Sequence, residues 1–265
     1  MLGTDHYVYR KDGRVYLYRV GRGEPVIFLH NFELSGYIWA KALDRFAQHF
    51  TCYNIDLPGH DRSDIPPRTY WLEDYARAIV DVLDACGIER AHIVGSHGGC
   101  VVGIDMAVAY PNRVNKLVFD GLPYWNKERG RTVFEKWWMP MFTDTTSYDV
   151  PVIPLKTWEE VSRHNPHLER DHWERQEEIA RKSRRWIRDS FQAMTTYDVE
   201  AAGPRVKAPT LLIYGERDAL RRGEQRAKEG IKSSTLVVVP GVGAPHNDSP
   251  DEFVRLAHDF LQKGR

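Results

Sequence analysis

A glycine-flanked turn at residues 95–99 constrains the fold of this chain more than any other stretch. The short apolar run 91–94 before it predicts a buried strand, and residues 101–110 behind it predict a helix that ends at Pro111. A tight turn between a strand and a helix holds a side chain at the carboxyl edge of a sheet, beside a helix N-terminus. The sequence therefore predicts a site at the sheet edge, built around this turn.

The segments around the turn alternate between strand and helix patterns. Apolar or alternating runs predict strands at residues 14–20, 25–30, 51–57, 91–94, 114–119, 209–215 and 234–239. Helical spacing predicts helices at residues 37–49, 72–85, 101–110 and 250–262. Such alternation is typical of an α/β protein with a doubly wound, mostly parallel sheet that helices cover on both faces. The first run, 14–20, is expected to be an antiparallel strand at the sheet edge.

The alternation stops between residues 122 and 206. This segment has no good strand pattern, its residues 174–194 are charged and helical, and it holds six of the eight tryptophans. We interpret it as a helical cap over the sheet edge, which divides the chain into a core, residues 1–121 and 207–265, and a cap, residues 122–206. Most cap aromatics are expected to pack within the cap, and a minority to face a cleft, where they favour a flat or apolar ligand.

Composition limits the kinds of partner. Lys and Arg balance Asp and Glu at 37 each, which gives no reason to expect a nucleic acid. No run approaches the roughly 18 apolar residues of a membrane span, and no signal peptide opens the chain, so we expect a cytoplasmic protein without a membrane partner. The three cysteines show no metal spacing and no disulfide framework, and are expected to be free thiols. We predict a small-molecule substrate, no cofactor and no metal, and we leave open whether the protein is a homodimer.

Five short motifs, in order along the chain, resemble those of the α/β-hydrolase superfamily in its capped, single-domain type. They are Phe-Leu-His-Asn-Phe at 28–32, Asp-Leu-Pro-Gly-His-Asp-Arg-Ser at 56–63, the run 87–95, Tyr-Pro-Asn-Arg-Val at 110–114, and Tyr-Gly-Glu-Arg-Asp at 214–218. The resemblance covers nearly the whole chain outside the predicted cap. It implies an α/β-hydrolase fold whose triad joins a nucleophile on the elbow turn, the acid Asp218, and a histidine after the last strand.

The nucleophile position departs from the family pattern Gly-x-Ser-x-Gly. Gly95 and Gly99 match its glycines, but His97 lies between them and the serine comes one place early, at Ser96. In the family, the Tyr-Pro pair that closes the next helix typically lies thirteen and fourteen places after the nucleophile. Counting from His97 reaches the pair at 110–111 without a gap. We therefore predict His97 at the tip of an atypical nucleophile elbow and keep Ser96 as the alternative.

The expected general base is also displaced. Counting from Gly243, the family's histidine position holds Ala244, and His246 follows two places later. A remodelled loop would let His246 serve as base beside Asp218, with Ser96 as nucleophile, in an irregular serine hydrolase. Alternatively, His246 matches a second, non-catalytic histidine that is common in this loop of the family.

The loop after the strand at 25–30 matches the family's oxyanion loop, in which Asn31 replaces the usual glycine after His30. The backbone N–H groups of Phe32 and Gly98 are expected to form the oxyanion hole. Glu33 adds a carboxylate, predicted either at the mouth of the site or as a solvated loop charge. We expect the substrate pocket to include His30, Asn31, Glu33, Asp120, Trp125 and Trp138.

These residues favour an enzyme that acts on a small apolar or aromatic ester, lactone or ketone, with His97 at the nucleophile position. The imidazole would attack an ester to form a labile acyl-imidazole, or act as a general base or acid near neutral pH.

Two alternatives stay open. A non-hydrolytic lyase, isomerase or cofactor-free oxygenase would use His97 for acid–base chemistry, and the Ser-His-Gly-Gly string is similar to the elbow of cofactor-independent quinolone dioxygenases. Ala244 at the usual base position, together with the other departures, also fits an inactive ligand-binding homologue or a deliberately inactivated variant.

Overall fold

A single eight-stranded sheet forms the centre of the molecule. The computed structural model describes residues 3–142, 157–164 and 169–263. The strands follow the sheet order β1-β2-β4-β3-β5-β6-β7-β8. They are β1 (Thr4–Arg10), β2 (Gly13–Gly21), β3 (Glu24–Leu29), β4 (Phe50–Ile55), β5 (Ala91–Ser96), β6 (Val114–Asp120), β7 (Thr210–Gly215) and β8 (Ser234–Val239).

The sheet is mostly parallel, which confirms the predicted fold class. Strands β1, β2 and β4 pair antiparallel, whereas β4, β3, β5, β6, β7 and β8 pair parallel. Every residue of β4, β5 and β7 is buried, as expected for parallel strands that are covered on both faces. The carboxyl ends of β5, β6 and β7 therefore meet at one sheet edge, where the site lies.

The prediction that residues 14–20 form the edge strand is wrong. The edge strand is β1, which pairs antiparallel with β2, so β2 lies between β1 and β4. Five of the seven residues of β1 are clearly exposed, and one is buried. With so little apolar alternation, the segment lacks the signal from which a strand is predicted.

Helices cover both faces of the sheet. They are α1 (Ala40–Phe46), α2 (Leu72–Ala85), α3 (Gly98–Ala109), α4 (Lys127–Val133), α5 (Trp158–His164), α6 (Arg170–Thr196), α7 (Val199–Ala202), α8 (Glu224–Gly230), α9 (Pro245–Asp248) and α10 (Pro250–Gln262). The predicted helices 72–85 and 250–262 are confirmed with the same ends. The predicted helix 37–49 instead begins as a 3₁₀ turn, Gly36–Trp39, which the Ser35 hydroxyl caps by accepting the Tyr37 N–H.

A helical insertion separates β6 from β7. Its described residues form helices and turns and contain no strand, in agreement with the predicted helical insertion. The long helix α6 extends beyond the predicted 174–194 at both ends. Trp186 anchors this helix on α2, because its indole N–H donates to the Tyr75 hydroxyl at 2.6 Å in a buried contact. The domain boundaries at 121 and 207 stay a prediction.

Asp61 ties the insertion to the core. It has a left-handed backbone, with φ of 38°, a conformation that glycine adopts more readily than other residues. Its carboxylate is 4% exposed and lies 3.3 Å from Arg175 and 3.9 Å from Lys182, both on α6. Its backbone N–H donates to Ser183 on the same helix. These contacts give the carboxylate a role that a glycine could not fill.

The described residues contain no helix with both the length and the apolar character that crossing a membrane would require.

Candidate active site

His97 forms the tip of the sharp turn between β5 and α3. Its backbone adopts φ 43° and ψ −105°, a conformation that costs a residue with a Cβ roughly 1–2 kcal/mol. The neighbouring glycines permit the tight passage. A Cβ on Gly99 would lie 2.3 Å from the Leu29 carbonyl oxygen, and one on Gly95 would lie 2.8 Å from the Cys100 backbone nitrogen. The turn thus presents the imidazole of His97 at the sheet edge.

Ser96 occupies a different environment. It is the last residue of β5, is 1% exposed, and lies opposite Asp120 of β6 in the sheet register. It does not line the cavity beside the turn, whereas the side chain of His97 does and is 34% exposed. The geometry therefore brings His97, and not Ser96, to the cavity.

Asp218 is the carboxylate that faces His97. The Asp218 Oδ2 atom lies 3.6 Å from His97 Nε2, and Oδ1 accepts the Leu220 backbone N–H at 2.8 Å. The carboxylate is 5% exposed, and within the described residues Oδ2 has no hydrogen-bond donor. A carboxylate at this place favours the proton on Nε2, which leaves Nδ1 as the hydrogen-bond acceptor of the imidazole.

The carboxylates around His97 change its acidity. Burial opposes protonation of the imidazole, but the interaction with the nearby Asp218 carboxylate, and the charges of Glu33 and Asp120, outweigh it and raise the pKa of His97 above its usual 6.5. A raised pKa means that the site stabilises the imidazolium form. Such stabilisation is what a base requires when it accepts a proton during a reaction.

Gly121 lies against the contact between His97 and Asp218 and leaves room for both side chains. Its φ is +70°, and a Cβ there would lie 2.5 Å from Asp218 Oδ2 and 2.7 Å from His97 Nε2. We expect Gly121→Ala to lower kcat by at least about tenfold, since displacement of reacting groups by a fraction of an ångström is costly. Gly87 is a matched control, because its φ is +67° and a Cβ added there would have no atom within 4 Å.

Both glycine variants are expected to lose about 1–2 kcal/mol of unfolding free energy from the left-handed backbone. Only Gly121→Ala should lose activity, as measured by initial rates and by urea denaturation of the two proteins. Equal activity of Gly121→Ala and Gly87→Ala would show that the contact between His97 and Asp218 is not needed.

His246 pairs with a different carboxylate from the one expected. Its Nδ1 donates to Asp120 Oδ2 at 2.6 Å, and its backbone N–H donates to the same oxygen at 3.0 Å. The imidazole also packs against Trp39, with ring centroids 5.0 Å apart. The alternative triad of Ser96, His246 and Asp218 therefore does not assemble, because Asp120 holds the histidine in the core.

Ala244 lies at the start of α9, and its backbone N–H donates to Asp248 Oδ2 at 3.0 Å. It contributes no titratable group. The base that the family resemblance implies at this place is absent from the described residues near Asp218, and the His97 imidazole is the one that faces that carboxylate.

A cavity of about 250 Å³ opens in front of His97. Its polar end is formed by Asn31, Phe32, Glu33, His97 and Gly98. Its walls are apolar and come largely from the insertion: Pro123, Trp125, Val133, Trp137, Trp138, Phe191, Met194 and Leu220. Of the predicted pocket residues, Asn31, Glu33, Trp125 and Trp138 line it.

Two predicted pocket residues do not line the cavity. His30 is fully buried and accepts the Leu57 backbone N–H through Nε2 at 2.8 Å, so it braces the loop rather than facing a ligand. Asp120 is 1% exposed and is occupied by His246. Sequence reasoning missed Phe191 and Met194, although their spacing of three on a predicted helix was a usable sign of a shared face.

Phe32 and Gly98, the residues predicted to supply the oxyanion donors, lie beside each other at the cavity. Neither the Phe32 nor the Gly98 backbone N–H has an acceptor within the described residues. A Cβ on Gly98 would lie 2.7 Å from the Phe32 ring, so glycine is what allows the loop and the helix start to approach. Both residues line the cavity beside His97.

Glu33 is the other titratable group in the cavity. Burial raises its pKa, although the charge of His97 and a hydrogen bond from Asn31 Nδ2, at 2.9 Å, act in the opposite direction. The prediction of a carboxylate at the site, rather than a solvated loop charge, agrees with this placement.

Comparison with known proteins identifies the family. Residues 24–245 match the family model described as alpha/beta hydrolase fold, and the chain belongs to this family. It is similar to a 2-hydroxy-6-oxo-6-phenylhexa-2,4-dienoate hydrolase of Comamonas testosteroni, with 25% identity over 95% of this chain and 92% of that protein.

Other likenesses are partial or structural. Epoxide hydrolase 4 of Mus musculus is 31% identical over 129 residues, which span 46% of this chain and only 36% of that protein. The crystal structure of MGS-M2, an α/β hydrolase from a deep-sea metagenome library, superposes with a TM-score of 0.81 at 19% identity, covering 99% of this chain and 98% of that one. The structural likeness establishes the fold.

Proposed function

We propose that this protein acts on a small apolar or aromatic ester, lactone or ketone, and that it hydrolyses the ester or lactone with His97 as the reacting base at the position where the family has its nucleophile. The observation that carries the proposal is the His97–Asp218 contact at the tip of the elbow turn, open to an apolar cavity. The family is described as having the α/β hydrolase fold, and the Comamonas relative is a hydrolase named for a substrate that carries a phenyl and an oxo group. The homodimer and the cytoplasmic location stay predictions.

The proposed reaction uses the neutral imidazole with its proton on Nε2. His97 Nδ1 removes a proton from water, the resulting hydroxide oxygen bonds to the carbonyl carbon, and the carbonyl π electrons move to oxygen. The Phe32 and Gly98 N–H groups donate to this oxyanion. Collapse of the tetrahedral intermediate breaks the bond to the leaving oxygen, which takes the proton from the imidazolium, and Asp218 stabilises that imidazolium meanwhile.

Hydrolysis of 4-nitrophenyl acetate, butyrate and phenylacetate tests the proposal. We expect kcat/KM to rise from acetate to phenylacetate, because each buried methylene adds about 0.8 kcal/mol of apolar transfer free energy, roughly fourfold. Trp138→Ala should lose most of this preference, and Trp71→Ala, which changes an exposed tryptophan away from the cavity, should keep it. Turnover no faster than in buffer would contradict the proposal and favour an inactive ligand-binding homologue.

A second candidate function rests on Glu33. Two titratable groups, His97 and Glu33, face one cavity in which no serine hydroxyl is presented by the described residues. That arrangement also suits proton transfer in a lyase, isomerase or cofactor-free oxygenase. Deuterium exchange from solvent into a benzyl ketone such as phenylacetone, catalysed by wild type and not by His97→Ala, would favour this candidate over the hydrolase.

A further inference from the structure

When the His97 imidazole is neutral, the charges at and next to the polar end of the cavity are negative. The Glu33 carboxylate lines the cavity, the Asp218 carboxylate lies 3.6 Å from His97 Nε2 without lining it, and His97 is uncharged in the form that accepts a proton. None of the described residues that line the cavity is Lys or Arg, so its hydrogen-bond donors are uncharged N–H groups. An anionic substrate would therefore meet repulsion without a compensating cation.

The hydrogen-bonding side chain on the loop beside His97 also favours ligands that donate rather than accept. Asn31 donates through Nδ2 to Glu33 Oε2 at 2.9 Å, which fixes the carboxylate, and its own Oδ1 is buried without a donor among the described residues. The acceptor that the loop beside His97 offers to a ligand is therefore the Glu33 carboxylate. A ligand with an N–H, an O–H or a positive charge would satisfy it.

We propose that Glu33 is a specificity-determining residue that makes the site accept neutral or cationic substrates and reject those that carry a carboxylate. This inference rests on the proposed function, since it names the substrate class of that same site. It also separates this chain from its Comamonas relative, which is named for a dienoate and hence for a carboxylate substrate.

Binding of three small aromatic probes tests the inference without turnover. 4-Nitrobenzyl alcohol, 4-nitrobenzylammonium and 4-nitrobenzoate differ in charge and little in size, and the nitroaromatic ring quenches the fluorescence of cavity tryptophans such as Trp125 and Trp138. In wild type, at a pH above the pKa of His97 so that the imidazole is neutral, we expect the benzoate to bind at least about tenfold more weakly than the alcohol, and the ammonium at least as tightly. Equal affinities of benzoate and alcohol would overturn the inference.

Variants assign the effect to one carboxylate. Glu33→Gln keeps a side-chain oxygen for Asn31 and is expected to bring the benzoate within about threefold of the alcohol. Glu229→Gln, which removes a carboxylate that does not line the cavity, should leave the wild-type ratio unchanged. A ratio that Glu33→Gln does not alter would show that Glu33 is not the selector.

A second variant covers the case in which Glu33→Gln fails to fold. Glu33→Ala also removes the carboxylate and is expected to bring the benzoate within about threefold of the alcohol, and an unchanged ratio would count against the inference. Turnover of the 4-nitrophenyl esters is scored separately. Charge selection without turnover would overturn the proposed hydrolase alone, and turnover without charge selection would overturn this inference alone.

Discussion

Replacing His97 by alanine is expected to lower kcat/KM for 4-nitrophenyl phenylacetate by about 10³-fold, the range typical of the loss of a general base. The imidazole is the group at the tip of the elbow turn, and it is the one that contacts Asp218. Within the described residues, no other histidine lines the cavity to replace it. The residual rate would come from the oxyanion donors and from apolar binding of the substrate.

Ser96→Ala is the matched control, because it changes the adjacent residue in the same turn. Ser96 lies in the sheet register opposite Asp120 and does not line the cavity, so we expect a change in kcat/KM of less than about threefold, as for other changes away from the reacting groups. Loss of activity in Ser96→Ala, with activity kept in His97→Ala, would restore the serine hydrolase interpretation. Thermal unfolding of both proteins checks that each is folded.

Asp218→Asn is expected to lower kcat/KM by about 10²- to 10³-fold, although the side chain keeps its shape. The amide oxygen can still accept the Leu220 N–H, which fixes the side chain in wild type. The other end of the amide then places an NH₂ group, instead of a carboxylate oxygen, towards His97 Nε2. This change removes the charge that stabilises the imidazolium and disfavours the tautomer with its proton on Nε2.

Initial rates of the variant on the same ester measure this effect. Asp248→Asn is a suitable control, since that carboxylate caps the α9 turn through the Gly243 and Ala244 N–H groups and does not contact His97. A loss of less than about threefold in Asp218→Asn would mean that the carboxylate does not orient the base.

The sequence was sufficient to predict seven of the eight strands and the tip of the turn. Continuous apolar runs specify buried parallel strands, and the distance to the Tyr-Pro pair at 110–111 that the family resemblance implies assigns His97 to the turn. The φ of 43° at His97 agrees with that assignment. These predictions depend on local spacing, which a sequence records directly.

The pairing of the two histidines could not be predicted in the same way. Asp120 ends β6, and Asp218 follows β7, its neighbour in the sheet, so both carboxylates reach the same edge. The path of the loop after β8, in which α9 begins at Pro245, decides which of the two carboxylates His246 contacts. Loop paths depend on tertiary packing, here on Trp39 and Phe253 around the imidazole, which spacing does not encode.

The cavity walls were only partly predicted, for a related reason. The tryptophan content of residues 122–206 indicated an apolar ligand, and Trp125 and Trp138 do line the cavity. His30 was expected beside them as part of the motif at 28–32, and Asp120 because it directly follows the predicted strand 114–119. Their side chains instead satisfy buried hydrogen bonds, to the Leu57 N–H and to His246.

The pH dependence of kcat/KM, in wild type and in Asp218→Asn, is the measurement that tests the role of His97 most directly. Since the neutral imidazole is the active form and the carboxylates raise its pKa, activity in wild type should rise with pH along a limb centred above 6.5, the ordinary value for histidine. Removing the Asp218 charge should move that limb to lower pH, and Glu33→Gln should move it less, because Asp218 raises the pKa of His97 more than Glu33 does. A limb at the same pH in wild type and Asp218→Asn, or no limb in this range, would contradict an imidazole base held by Asp218.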